Sequence, residues 1–118
     1  MKATIIGAIL SIVVLIGCNP AQGAFYWGDY SESLYAFKKN PDDKTLDAHK
    51  KMLLEIITES PQKSMKIPPG VCAEYGYLLL KEGKEKDGLE YLDKEQTLFP
   101  ESRIFIQRVK DEYLRGKK

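Results

Sequence analysis

The chain has 118 residues, of which 30% are charged, and its formal net charge is only +1 at pH 7. This length suits a single domain, and the interspersed acidic and basic residues lack the strongly basic surface that nucleic-acid-binding proteins present. One histidine and two cysteines do not make a plausible zinc site, so neither a nucleic-acid partner nor a metal is expected.

The first 17 residues predict a cleaved leader. Lys2 is followed by a largely apolar stretch without charges, and the sequence turns polar after Cys18. A charged start, an apolar run and then small residues are typical of secretory signal peptides. Residues 15–18, Leu-Ile-Gly-Cys, resemble the lipobox of bacterial lipoproteins. The resemblance implies that a diacylglycerol is attached to the sulfur of Cys18 after cleavage, and residues 18–24 then form a lipidated tether.

The residue after Cys18 is Asn19 rather than an aspartate. In bacteria with two membranes, an aspartate at that place resembles the signal that keeps a lipoprotein in the inner membrane. Its absence favours the outer membrane, with the protein facing the periplasm. Each buried methylene of an acyl chain contributes about 0.8 kcal/mol, and two or more chains hold a protein durably. We therefore expect the membrane to be one partner, through the lipid on Cys18.

Three other interpretations of the leader stay open. A membrane-spanning anchor needs about 20 apolar residues, which is more than the leader offers. Conventional secretory cleavage could use the small residues at 21–23 and would release a soluble protein. A buried helix of a cytosolic domain would need apolar neighbours on every face, and so short a chain offers few.

The predicted domain, residues 25–118, begins with a group of aromatic side chains. Its members are Phe25, Tyr26, Trp27, Tyr30, Tyr35 and Phe37. Trp and Tyr provide large contact areas with a polar tip, which makes Trp27, Tyr30 and Tyr35 candidate partner-binding residues. The alternative is that these aromatic side chains cover the exposed end of a helical stack.

The spacing of apolar residues downstream predicts an all-α fold with five helices arranged as antiparallel hairpins after the signal helix. Asn40 is the expected N-cap of the second helix, with Pro41 at its first position, and the Ser60-Pro61 pair is expected to end it. The fifth helix is expected to bury Phe105. The predicted ranges are about 29–39, 41–59, 70–82, 85–98 and 101–114.

Residues 69–102 resemble a tetratricopeptide repeat. Gly76 stands where that motif has its helix-crossing glycine, Gly83 where the chain turns between helices, and Gly88 at the small position of close packing. Pro100 stands at the terminal proline. Small residues let two helix backbones approach, and proline ends a helix. The resemblance implies tetratricopeptide-like hairpins, whereas unrelated helical packing is the alternative.

Two positions depart from the repeat pattern. Cys72 and Glu95 stand where the motif more often has a large apolar residue and an alanine. Cys72 would have no cysteine partner once Cys18 carries lipid, and it lies on an apolar stripe. A core position is therefore expected for it rather than a nucleophilic role.

Four short motifs are shared with a family of small bacterial lipoproteins of unknown function, which the mature chain resembles. They are Tyr-Trp-Gly-Asp-Tyr at 26–30, Leu-Tyr at 34–35, Pro-Pro-Gly at 68–70 and Glu-Tyr-Gly at 74–76. Members of that family are encoded beside a lipoprotein similar to the curli-secretion channel. The resemblance therefore implies such a lipoprotein as a candidate partner.

Few residues suggest catalysis. His49 is the only histidine, and it lies on an apolar helix stripe where a buried, hydrogen-bonded role is favoured over that of a catalytic base. The glycines lack the spacing of a phosphate-binding loop. The sequence predicts no catalytic residue, no cofactor and no small-molecule substrate.

These observations favour a lipid-anchored, periplasm-facing adaptor that binds another envelope protein through a groove between helix pairs, since helical repeats present concave binding surfaces. Two alternatives stay open. One is a lipoprotein that regulates a cell-wall synthase by binding it. The other is a small envelope hydrolase that uses His49.

Overall fold

The computed structural model describes residues 24–117. The predicted leader, Cys18 and the tether up to residue 23 lie outside the described residues, as does Lys118. Within them the fold is all-α, as predicted, and one parallel bridge joins Phe25 to Lys66. The helices are α1 (Tyr30–Lys39), α2 (Asp43–Gln62), α3 (Val71–Lys81), α4 (Glu85–Leu98) and α5 (Arg103–Gly116), with a 3₁₀ turn at Pro100–Ser102 before α5. None of these helices has the length and apolar character needed to cross a bilayer.

Both ends of α2 differ from the prediction. Its N-cap is Asp42, not Asn40. The Asp42 carboxylate accepts a hydrogen bond from the backbone N–H of Thr45 at 2.7 Å, and the Thr45 hydroxyl accepts one from the backbone N–H of Asp42 at 3.2 Å. This reciprocal pair satisfies two otherwise free donors, and Pro41 precedes the helix. At the other end, Pro61 lies inside the last turn. Pro61 has no N–H to donate, yet the helix continues to Gln62, and the backbone N–H of Lys63 closes its end by donating to the Glu59 carbonyl at 3.0 Å.

The core consists of two clusters that meet at α3. The first lies between α2 and α3, and the second joins α3 to α4 and α5. Cys72 belongs to the first cluster and is fully buried, as predicted. Burial, with a smaller contribution from the Glu95 carboxylate, raises the pKa of its thiol to about 12. At neutral pH the sulfur is therefore a packing group and not a thiolate.

Two glycines bring α3 and α4 into backbone contact. A Cβ atom added at Gly76 would lie 2.7 Å from the carbonyl oxygen of Gly88, and one added at Gly88 would lie 2.8 Å from the carbonyl oxygen of Gly76. Gly83 has a φ of +78° at the turn between the two helices, a conformation that suits glycine. The crossing and turning roles that the repeat resemblance implies for these glycines are therefore found in the structure.

A buried carboxylate caps the start of α3. Glu95 is buried, and its two carboxylate oxygens accept hydrogen bonds from the backbone N–H groups of Gly70 at 2.6 Å and Ala73 at 3.2 Å. The first N–H groups of a helix have no partner within the helix, and a negative charge is favourable there. This cap explains why a glutamate occupies a position where the repeat more often has an alanine.

Replacing Gly76 by alanine tests the helix contact. Because the added methyl group presses on the Gly88 carbonyl, Gly76→Ala is expected to lower the free energy of unfolding by about 1–3 kcal/mol, measured by urea denaturation with far-UV circular dichroism. Gly116→Ala is the matched control, since nothing lies within 4 Å of its added Cβ. That variant should be neutral or slightly more stable, because alanine favours helix. A Gly76→Ala protein as stable as the wild type would show that the two helices are not in contact there.

Candidate functional site

An open, mostly apolar groove lies between α3 and α5. It has a volume of about 370 Å³. It exists because α5 packs mainly on α4, through the fully buried Ile106, so that α3 and α5 stand apart with Leu92 of α4 beneath them. We call it the α3–α5 groove, and its lining residues are Gly70, Ala73, Glu74, Tyr77, Leu92, Phe105 and Val109.

Phe105 belongs to this groove and not to the core, which corrects the sequence prediction. Its side chain is 59% exposed, whereas the neighbouring Ile106 is fully buried. Successive helical residues lie about 100° apart, so when Ile106 faces α4 its neighbour must face the gap beside it. Tyr77 forms an exposed aromatic edge on the opposite wall of the groove.

The lining of the groove favours an occupant that presents apolar side chains. Glu74 is the one charged residue in the lining, and its carboxylate is already engaged by two side chains of the domain. Sites for small molecules combine apolar walls with several polar groups that fix the orientation of the ligand. Here such groups are scarce. Among residues 24–117, moreover, no three His, Cys, Asp or Glu side chains come together as a metal site would require.

Glu74 is the centre of a hydrogen-bond network that connects three helices. The phenol of Tyr30 on α1 donates to Glu74 Oε2 at 2.8 Å. His49 on α2 joins Glu74 Oε1 through Nε2 at 2.9 Å, and its Nδ1 lies 2.8 Å from the hydroxyl of Ser33. His49 itself is 1% exposed. We call Tyr30, Ser33, His49 and Glu74 the Glu74 network.

With Glu74 ionised, two proton arrangements satisfy this network. The hydroxyl of Ser33 is within reach of both His49 Nδ1 and the backbone carbonyl of Tyr30, which is 3.0 Å away. When it donates to Nδ1, the ring is neutral and donates from Nε2 to Glu74. When it donates to the carbonyl, both ring nitrogens donate and the imidazolium forms an ion pair with Glu74. In both arrangements every buried ring nitrogen has a partner.

The order serine, histidine and carboxylate is also that of a hydrolase triad. In this network the Ser33 hydroxyl lies beside the carbonyl of Tyr30 within α1, and the backbone N–H of Ser33 donates to the Asp29 carbonyl at 3.0 Å. That N–H is therefore not available to stabilise an oxyanion. The geometry instead suits a structural role. α1 has no fully buried residue, and the hydrogen bonds of the network hold it against α2 and α3.

The three aromatic residues predicted to bind a partner do not form one surface. Trp27 is exposed and packs edge-on against Tyr30, with ring centroids 5.4 Å apart. Tyr30 is half-buried and packs on the first core cluster. Tyr35 is 66% exposed, and five residues along a helix place it about 140° around α1 from Tyr30. Trp27 and Tyr30 therefore come together, whereas Tyr35 stands apart.

Local sequence patterns do not mark Phe105, Ser33 or Glu74 as site residues. The contacts of Glu74 join positions 25 and 44 residues apart, which no local spacing reveals. The one available signal was the Glu74-Tyr75-Gly76 motif, which the family resemblance singled out without a role.

The Tyr30 phenol gives the Glu74 network a pH dependence. Burial, together with the hydrogen bond to Glu74, raises the pKa of Tyr30 to about 12, from 10.0. The folded state therefore holds this proton at pH values where the unfolded chain releases it, so the stabilisation is complete below pH 10 and is lost as the pH rises towards 12. Tyr30→Phe should cost about 1 kcal/mol at pH 7 and weaken the alkaline loss, measured by urea unfolding from pH 7 to 11.5.

Tyr35→Phe provides the control for this measurement, because Tyr35 is exposed and makes no hydrogen bond within residues 24–117. Its stability should follow the wild-type curve throughout. An alkaline loss of stability that is the same in Tyr30→Phe as in the wild type would contradict the role given to the Tyr30 phenol.

Residues 24–109 match the family described as a domain of unknown function, DUF4810. The matched segment includes every residue of the groove and of the Glu74 network. No curated protein matches the chain, and no solved structure does.

Proposed function

Because the chain belongs to the DUF4810 family, whose function is unknown, we propose its function from its geometry: it is a lipid-anchored adaptor of the cell envelope that binds another protein in the α3–α5 groove. The observation that carries this proposal is an apolar groove left open between two helices and bordered by the exposed rings of Tyr77 and Phe105. Aromatic residues of this kind are enriched in the energetic centres of protein interfaces.

The occupant that fits best is an amphipathic helix of the partner. Helices bind in apolar grooves through residues spaced at i, i+3, i+4 and i+7. On α3 the lining extends from Gly70 to Tyr77, which is about 10 Å along the helix axis, and a groove of that length accepts about two turns of a partner helix. The floor at Leu92 and the walls at Ala73 and Val109 offer apolar contact along it.

The anchor and the location of the adaptor rest on the leader sequence. Cys18 follows Leu-Ile-Gly and is followed by Asn19, which favours lipidation and the periplasmic face of the outer membrane. The partner is then another envelope protein. A lipoprotein similar to the curli-secretion channel and a cell-wall synthase are two candidates, and the second would make the chain a regulator of that enzyme. A hydrolase that uses His49 is the remaining alternative, and it would require Ser33 to leave its present hydrogen bonds.

A photoreactive amino acid at position 105 tests the groove directly. With benzoylphenylalanine in place of Phe105, irradiation of living cells should give a covalent adduct with one envelope protein, whose identity separates the two candidate partners. Val109→Glu places a charge on the groove wall and should reduce the adduct by about tenfold or more, as expected for a change at an interface centre. Circular dichroism of this variant shows whether it is folded.

The control places the same amino acid at Tyr35, which is similarly exposed but lies on α1, away from the groove. No adduct with that protein is expected from this position. If positions 35 and 105 give the same adducts, or if the adduct at 105 persists undiminished in a folded Val109→Glu protein, the groove is not the binding site.

A further inference from the structure

The two ends of the helical bundle differ sharply in their exposed side chains. Because the helices alternate in direction, one end collects the start of the domain, the α2–α3 loop and the α4–α5 connection. We call it the tether end, and it comprises residues 24–30, 60–71 and 98–105. The opposite end, which we call the far end, comprises residues 39–43, 81–86 and 114–117.

Backbone hydrogen bonds fix the first described residues of the chain at the tether end. The backbone N–H of Tyr26 donates to the carbonyl of Lys66 at 3.0 Å, and the N–H of Lys66 donates to the carbonyl of Ala24 at 2.9 Å. These two bonds hold the first described residues against the α2–α3 loop. The point at which the tether leaves the domain is therefore fixed relative to the helices.

Exposed apolar side chains concentrate at this end. Of nine large hydrophobic residues that are exposed within residues 24–117, five belong to the tether end, with exposures from 39% to 77%, and only Leu114 belongs to the far end. An apolar hollow of about 440 Å³ adjoins them, lined in part by Phe25, Leu98 and Phe99. The five residues are Phe25, Trp27, Leu98, Ile104 and Phe105.

Three cationic side chains lie at the tether end, and one of them, Lys66, borders the apolar hollow. Lys66 and Arg103 are exposed, and neither forms an ion pair within the part of the chain that the structure describes. Lys63 pairs with Glu59 at 3.3 Å and lies over the ring of Tyr26. Asp29 and Glu101 are at the same end. Aromatic rings with nearby Lys and Arg are typical of surfaces that lie at the boundary between lipid headgroups and acyl chains.

We infer that the tether end rests on the lipid bilayer, with Phe25, Leu98 and Ile104 in its interface and Lys66 and Arg103 among the lipid phosphates. This inference rests on the proposed lipid anchor. From Cys18 to Ala24 the chain spans six residues, which reach about 20 Å at most. α3, with 11 residues, places the far end about 16 Å further away, so the far end could meet the membrane only with the tether almost fully extended. Lipidation therefore favours the tether end as the part of the domain beside the membrane surface.

A fluorescent label at each end of the full-length lipidated chain tests this orientation. Lys66→Cys marks the tether end and Lys86→Cys, an exposed position in the first turn of α4, serves as the matched control. Because Cys72 is fully buried and Cys18 carries lipid, an environment-sensitive dye reacts only with the introduced thiol. The labelled proteins are reconstituted into vesicles of phosphatidylethanolamine and phosphatidylglycerol that contain a lipid with a quencher near its headgroup.

The label at position 66 should be quenched at least twofold more than the label at position 86. Replacing both Leu98 and Ile104 by serine should reduce that difference while the protein still floats with the vesicles, since the acyl chains retain it. Equal quenching of the two labels on floating vesicles overturns the inference alone and leaves the anchor in place. A wild-type chain that does not float with the vesicles overturns the proposed anchor, and the inference with it.

Discussion

The contact between the backbones of Gly76 and Gly88 determines how the rest of the domain is arranged. It brings α4 so close to α3 that Leu92 becomes fully buried and Glu95 reaches the free N–H groups at the start of α3. α5 then covers α4 and leaves α3 partly uncovered. The α3–α5 groove is therefore a consequence of a close helix pair beside a more distant one.

The other half of the domain is held by polar contacts. α1 has no fully buried residue, and apolar packing alone would secure it weakly. The Glu74 network supplies hydrogen bonds from two α1 side chains to α2 and α3 in a half-buried setting, where such bonds to charged groups are stronger than in water. Glu74 thus belongs both to the network and to the lining of the groove. Any occupant of the groove would contact a residue that also positions α1.

Local signals in the sequence were sufficient for most of the fold. Helix periodicity predicted the five helices, and the positions of Gly76, Gly83 and Gly88 predicted the hairpin of α3 and α4. Asn40 and Asp42 are both good caps, and the choice of Asp42 depends on its reciprocal bond with Thr45. Spacing was ambiguous in α5, because Phe105 and Ile106 both lie three or four residues from Val109. Packing against α4 decided in favour of Ile106.

The residues of the groove and of the Glu74 network were harder to predict, because they depend on contacts between distant parts of the chain. Glu74 lies 25 residues from His49 and 44 from Tyr30, and Phe105 acquires its place in the groove from the orientation of α5. Trp27, Tyr30 and Tyr35 were chosen because they are aromatic, yet their environments differ: Tyr30 is fixed by Glu74, whereas Tyr35 faces solvent. Residue type alone did not separate a structural tyrosine from an exposed one.

The roles proposed for the groove and for the tether end both depend on a lipid on Cys18 that holds the domain at a membrane. Mass spectrometry of the protein purified from a bacterial envelope tests this claim most directly. We expect the first peptide to begin at Cys18 and to carry the mass of a diacylglycerol on its sulfur. A first peptide that begins at Met1, or one that begins after Cys18 without lipid, would contradict it.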